Sequence, residues 1–230
     1  MKKFLLAAAF AVASAPAFAA TILEYETAPS TVNAQLAPSA TGAGVTGSNM
    51  IAGSGLVANS GSTWNWRGWS NGSTPFASQA DALASGHYWS WGFTSTQAYN
   101  LDNFDIRLDR SGTGPNQFAI GIETNNSAFT TVLADNFGVT NAGRNYLNVD
   151  LSAFTGVTKA VFTLVAWGAD AGGASSLGTF DLETINSVTN PSHAFQLRGD
   201  PVRTTDVPVP AALPLLLVGL GGLALFRRRA

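Results

Sequence analysis

Apolar and polar residues alternate through most of the chain between positions 21 and 206. Phe104, Ile106 and Leu108 fall on one side of an extended backbone while Asp105, Arg107 and Asp109 fall on the other, which is the period of a half-buried strand. The same spacing recurs in Phe118, Ile120 and Ile122 and in Leu147, Val149 and Leu151. Residues 160–167 are apolar on both parities, which predicts a central strand covered on both faces. Further strands are predicted at 22–26, 88–94, 129–134, 179–185 and 194–198, separated by pieces rich in Gly, Asn and Ser such as 111–115 and 168–178. Many short strands with such turns predict an all-β domain, a single antiparallel β-sandwich over 21–200.

Two stretches depart from this period. Residues 28–62 are rich in Ala, Gly, Ser and Thr with scattered Val, Ile and Leu, a composition that favours irregular structure, with a surface loop, a flexible arm or weak edge strands as the forms it would take. Residues 78–85 suit one or two helical turns, and 201–206 form a linker.

The ends have a different character. Lys2 and Lys3 precede an unbroken apolar run from Phe4 to Val12, and Ala17 and Ala19 stand at the small-residue positions of a cleavage site, with Ala20 or Thr21 as the first mature residue. This three-part pattern over 1–20 is that of a secretory signal peptide, which implies a Sec-type export machinery as partner. At the other end no charge occurs from Ala211 to Phe226, and Arg227, Arg228 and Arg229 follow at once. Sixteen helical residues span about 24 Å, and the apolar residues before them bring the segment close to a ~30 Å hydrocarbon core. The arginines would hold the C-terminus in the cytoplasm, leaving the body outside an inner membrane crossed by one transmembrane helix.

Here the residues carry a resemblance. Val207, Pro208, Val209, Pro210 and Ala211, then the Leu- and Gly-rich span and the arginine tail, resemble the VPLPA-CTERM variant of the PEP-CTERM sorting signals of exported Gram-negative proteins, with Val209 where that variant usually has leucine. The resemblance covers 207–230. It implies recognition by an exosortase, cleavage near the prolines, and delivery to the cell surface or extracellular matrix, with the chain as substrate rather than catalyst. A second resemblance covers about 88–186: the stretch from Asn103 to Pro115, the run Val149 to Phe154 and the run Gly178 to Leu182 look like phrases of secreted PEP-CTERM proteins, whose bodies are similar to jelly-roll, discoidin-like or carbohydrate-binding sandwiches.

Composition sharpens the picture. The formal charge of −2 hides an uneven distribution, because five of the twelve basic residues lie at the ends while all fourteen acidic ones lie between them. The body is therefore at about −7, which argues against nucleic acid as a partner. The absence of cysteine excludes disulfides, thiolate metal sites and a cysteine nucleophile. Gly42, Gly44 and Gly47 fit a dinucleotide fingerprint but lack the strand and helix that give that motif its function. His87 and His193 sit outside any Gly-x-Ser-x-Gly elbow, and no pair of carboxylates is singled out for glycoside hydrolysis. No cofactor is expected; a structural calcium would draw on Glu24, Glu26, Asp181 and Glu183 if the terminal strands pair.

Six tryptophans give the strongest hint of binding. Trp64, Trp66 and Trp69, interleaved with Asn65 and Arg67, offer flat faces and hydrogen-bonding groups suited to sugars, and Trp64 and Trp66 share a face if extended. Packing in a small core accounts for the same residues, and more so for Trp89, Trp91 and Trp167. Arg198, Gly199 and Asp200 spell an adhesion tripeptide that reads here as a strand-end turn. The sequence thus points to an exported surface or matrix protein with a structural or polysaccharide-contacting sandwich and no catalytic residues; the alternative is a secreted glycan-active jelly-roll enzyme.

Overall fold

The computed structural model describes residues 19–26, 35–59, 64–72, 74–138, 143–168, 178–185 and 193–202. The predicted cleavage residue Ala17, the sorting motif 207–211 and the arginine tail lie outside them. No helix among the described residues is long and apolar enough to cross a membrane.

The chain opens with β1 (Ala20–Tyr25) and five short strands, β2 (Gln35–Leu36), β3 (Ala40–Thr41), β4 (Val45–Gly47), β5 (Met50–Ala52) and β6 (Val57–Ala58). Then come β7 (Trp64–Arg67), the small hairpin of β8 (Ser70–Asn71) and β9 (Thr74–Pro75), and helix α1 (Gln79–Ala84). The long strand β10 (Tyr88–Arg110) leads into β11 (Gln117–Thr124), β12 (Thr130–Asn136), β13 (Arg144–Asp150) and β14 (Val157–Trp167). β15 (Thr179–Leu182) and β16 (Phe195–Pro201) complete the order.

Every pairing is antiparallel, and β10 belongs to both layers. Its first half pairs with β14 on one edge and with β4 and β5 on the other, and β14 continues to β11 and β12. Its second half pairs with β13 on one edge and with β16 and β15 on the other; β1 and β3 extend from β16, β7 and β6 from β15. Twenty-three extended residues would span about 75 Å, so a strand with both halves on one core must turn between them. The pairing to β14 is irregular between Thr94 and Tyr99, where that change of layer occurs.

The two layers meet through aromatic rings. Trp91 and Phe162 of the first layer stack at 5.6 Å, and both pack against Phe195 of the second, at 5.3 and 5.5 Å. Phe104 joins them from the far half of β10, 5.6 Å from Phe195 and 5.9 Å from Phe162. These contacts make the two layers a sandwich around one apolar core.

Residues 160–167 are covered on both faces only toward their end: Phe162 and Leu164 enter the core and Val165 lies under Phe76 and Ala82 on the outside, while Val161 and Thr163 face outward half-buried. Helix α1 provides that outer cover. Ser78 caps it, its hydroxyl accepting from the Asp81 N–H at 3.2 Å. The predicted irregular stretch 28–62 needs correction where it is described, because it supplies β2 to β6 as weak edge strands. Met50 enters the core from β5, and Leu36, Val45, Ala52 and Ala58 pack against it from these strands.

Candidate functional site

Of the two readings of Trp64, Trp66 and Trp69, packing in the core holds and the sugar platform does not. Trp64, Trp66 and Trp69 are 4%, 5% and 1% exposed, so no flat face is free for a sugar. Trp64 and Trp66 do share a face, as strand geometry demands, but it is the core face: Trp64 packs on Trp89 at 6.4 Å, and Trp69 packs on Trp89 at 5.4 Å. The Trp69 indole donates to the Trp66 carbonyl at 2.8 Å.

The accessible geometry lies on the outer face of the first layer. Opposite the parity of Trp89, Trp91 and Phe93, the side chains of Ser90 and Thr94 face outward with Gly92 between them. Gly92 is buried against the β14 backbone, where a Cβ would stand 2.1 Å from the Ala160 carbonyl oxygen, so no side chain rises between Ser90 and Thr94. Around it a groove of about 320 Å³ is lined by Thr46, Ser48, Asn49 and Ile51 on one side and by Lys159 and Val161 on the other. The Ser48 N–H donates to the Gly92 carbonyl at 2.8 Å, and its hydroxyl to the same oxygen at 3.1 Å, which holds the wall against the floor.

Register orders this face into rows. Ile51, Ser90, Thr163 and Gly121 are paired in succession across four strands, and the Phe129 ring lies over Gly121, where a Cβ would stand 2.0 Å from the ring. Next come Gly92, Val161 and Glu123, and then Thr46, Thr94 and Lys159. Ile51 and Phe129 are 41% and 42% exposed, so two of the exposed large apolar side chains flank one hydroxyl-rich row. An exposed ring beside fixed hydroxyls offers stacking and hydrogen bonding together. The groove lining contains no carboxylate and no histidine.

The outer face of the second layer is polar but occupied with itself. Asp105 is buried, with Arg198 at 2.7 Å, the Asn148 N–H at 2.7 Å and His193 Nε2 at 3.7 Å. Burial would raise its pKa, but His193, Arg198 and the Asn148 N–H together hold it down at about 2. Arg107 pairs with Glu183 at 3.0 Å. Asn65, Asp181 and Asp109 stand directly opposite one another on β7, β15 and β10. Burial, reinforced by the Asp109 and Glu183 charges, pushes the Asp181 carboxyl up to about 8.

The proposed calcium ligands do not converge. β1 does pair with β16, and Glu24 accepts from Gln196 opposite it, in the row of Asp105. Asp181 lies in the row of Asp109, four residues further along β10 and about 13 Å away. Among the described residues no group of three potential metal ligands forms. Gly42 and Gly44 lie in the turn from β3 into β4, with Gly44 at φ 70°, and Gly47 ends β4 with no helix following, so the fingerprint has no phosphate cradle. Arg198, Gly199 and Asp200 are part of β16 itself, with Arg198 held by Asp105. His87 packs its ring on Phe76 at 4.6 Å.

The groove residues were absent from the sequence reading. The signal available was the outward set Ser90, Gly92 and Thr94 opposite three inward aromatics, together with Lys159, the one lysine outside the first three residues.

No protein-family model matches the chain, and no curated protein matches it. Among solved structures, a mutant of CBM29-2, studied for ligand recognition by family 29 carbohydrate-binding modules, is similar at 10% identity and a TM-score of 0.27. The match covers 67% of this chain and 96% of that one. At that overlap the likeness adds nothing to the sandwich seen directly.

Proposed function

We propose that this is an exported surface or matrix protein whose β-sandwich contacts glycan through the outer groove of its first layer. The observation that carries the glycan reading is the row from Ile51 through Ser90 and Thr163 to the Phe129 ring, alongside the groove that passes over Gly92. Sugar rings present an apolar face and a rim of hydroxyls, and this surface offers a partner to each. A fixed, glycine-floored groove also limits the entropy lost on binding.

Titration of the full chain against a glycan array tests this reading. Phe129→Ala is expected to weaken binding about five- to tenfold, the scale of one aromatic contact of about 1–1.5 kcal/mol. Phe129 is 42% exposed and lies outside the buried core, so the fold should survive. Unchanged affinity in this variant, or a blank array, would overturn the reading.

The export reading rests on the three-part N-terminal pattern and on the proline motif, apolar span and arginine tail at the C-terminus. In it an exosortase removes the tail after the span has held the chain at the inner membrane. Mass spectrometry of the released protein is then expected to find no peptide beyond the proline motif. A released chain ending at Ala230 would contradict exosortase processing.

A further inference from the structure

Lys159 occupies a singular position in the charge distribution. It is the one lysine between residues 21 and 206. Arg107, Arg144 and Arg198 each pair with a carboxylate, at 3.0, 2.7 and 2.7 Å. Lys159 is exposed and has no ion pair within 4.0 Å among the described residues. It lines the groove, where no carboxylate accompanies it. The nearest acidic residue in register is Glu123, opposite Val161 and one row away.

The row containing Lys159 gives that charge its neighbours. Thr46, Thr94 and Lys159 are paired across β4, β10 and β14, so two hydroxyls and an ammonium lie along about 10 Å of the face. A body at about −7 repels polyanions in general. An unpaired cation in a carboxylate-free groove is the exception, a place where an anionic substituent is met by a point charge and neighbouring hydroxyl donors.

Resting on the glycan reading above, we infer that the groove selects acidic glycans, with Lys159 engaging a sugar carboxylate or sulfate while Thr46 and Thr94 hold adjacent hydroxyls. A neutral sugar leaves the ammonium solvated and gains nothing from it. The charge contact is partly exposed, so its contribution weakens as salt rises.

Two matched pairs of probes test this on the full chain at low ionic strength: an oligogalacturonate against its methyl ester, and dextran sulfate against dextran. The expected result is about fivefold tighter binding of the acidic member in at least one pair, the scale of a partly exposed ion pair. Preference in the first pair assigns a carboxylate, and preference in the second a sulfate. Lys159→Met should bring the acidic and neutral members of the preferred pair to equal affinity, and Lys159→Arg should retain the preference. Equal binding within both pairs, or a preference that survives Lys159→Met, overturns the inference and leaves the groove as a neutral-glycan site. Absence of binding to all four probes and to the array would instead remove the glycan reading itself.

Discussion

Raising the pH from about 4 to about 9 is expected to destabilise the protein, and Asp181→Asn is expected to remove most of that loss. The folded Asp181 carboxyl titrates at about 8 against 3.8 for the unconstrained group, so the folded state binds this proton more tightly than the unfolded one. Below about pH 4 both states are protonated and the group is neutral in its effect. As pH rises toward 8 the unfolded state sheds its proton freely while the folded state does not, and stability falls. Each unit of difference is worth about 1.4 kcal/mol, and with some entry of water a loss of about 2–4 kcal/mol is expected by pH 9.

The geometry agrees with a protonated carboxyl. Asn65 Oδ1 and Asp181 Oδ1 are both buried acceptors without a partner, on residues directly opposite each other across β7 and β15. A neutral carboxyl gains an O–H donor that a carboxylate lacks, which suits a buried site beside an unpartnered acceptor. Urea melts of the full chain at about pH 3.5 and about pH 9 measure the effect. Asp181→Asn should match the wild type at the lower pH, where Asp181 is protonated folded and unfolded, and exceed it at the higher. A flat wild-type profile, or a variant that keeps the slope, would show that Asp181 ionises as readily folded as unfolded.

Phe195→Ala is expected to cost about 3–5 kcal/mol, a large share of the 5–15 kcal/mol that holds a typical domain. Phe195 contributes the second layer's face to the contact: its ring lies within about 6 Å of Tyr25, Trp91, Phe104 and Phe162. Truncation would leave a void walled by aromatic rings on strands held from both layers, which cannot close without moving a sheet. Equilibrium unfolding of the variant measures it. A cost under 1 kcal/mol would mean that the layers do not meet at Phe195.

The period of two in the sequence was enough to find β1 and β10 to β16, because side chains facing core and solvent differ in polarity, but not the short strands β2 to β9. Residues 88–94 and 104–108 were legible as two strands, but they are the two ends of one strand, β10, whose pairing to β14 becomes irregular between Thr94 and Tyr99. Pairing was not legible, since β10 meets β4, β5, β13, β14, β15 and β16 through register that no single segment encodes. For the same reason the tryptophans were ambiguous. Trp64 and Trp66 were placed on one face from spacing alone, but which face is core depends on β15, which is distant in sequence, lying alongside β7. The groove was hidden more thoroughly, because serines, threonines and a glycine on an outward parity read as ordinary solvated strand. They become a site only when Gly92 is brought under the Ser48 wall and Phe129 over Gly121.

Hydrogen-exchange footprinting of the full chain with and without a bound oligosaccharide tests the central claim most directly. Added protection is expected in segments 46–51, 90–94 and 159–163, with none in 64–69. Protection centred on 64–69, or on the outer face of the second layer around Arg107 and Arg198, would contradict the assignment of the groove as the contact face.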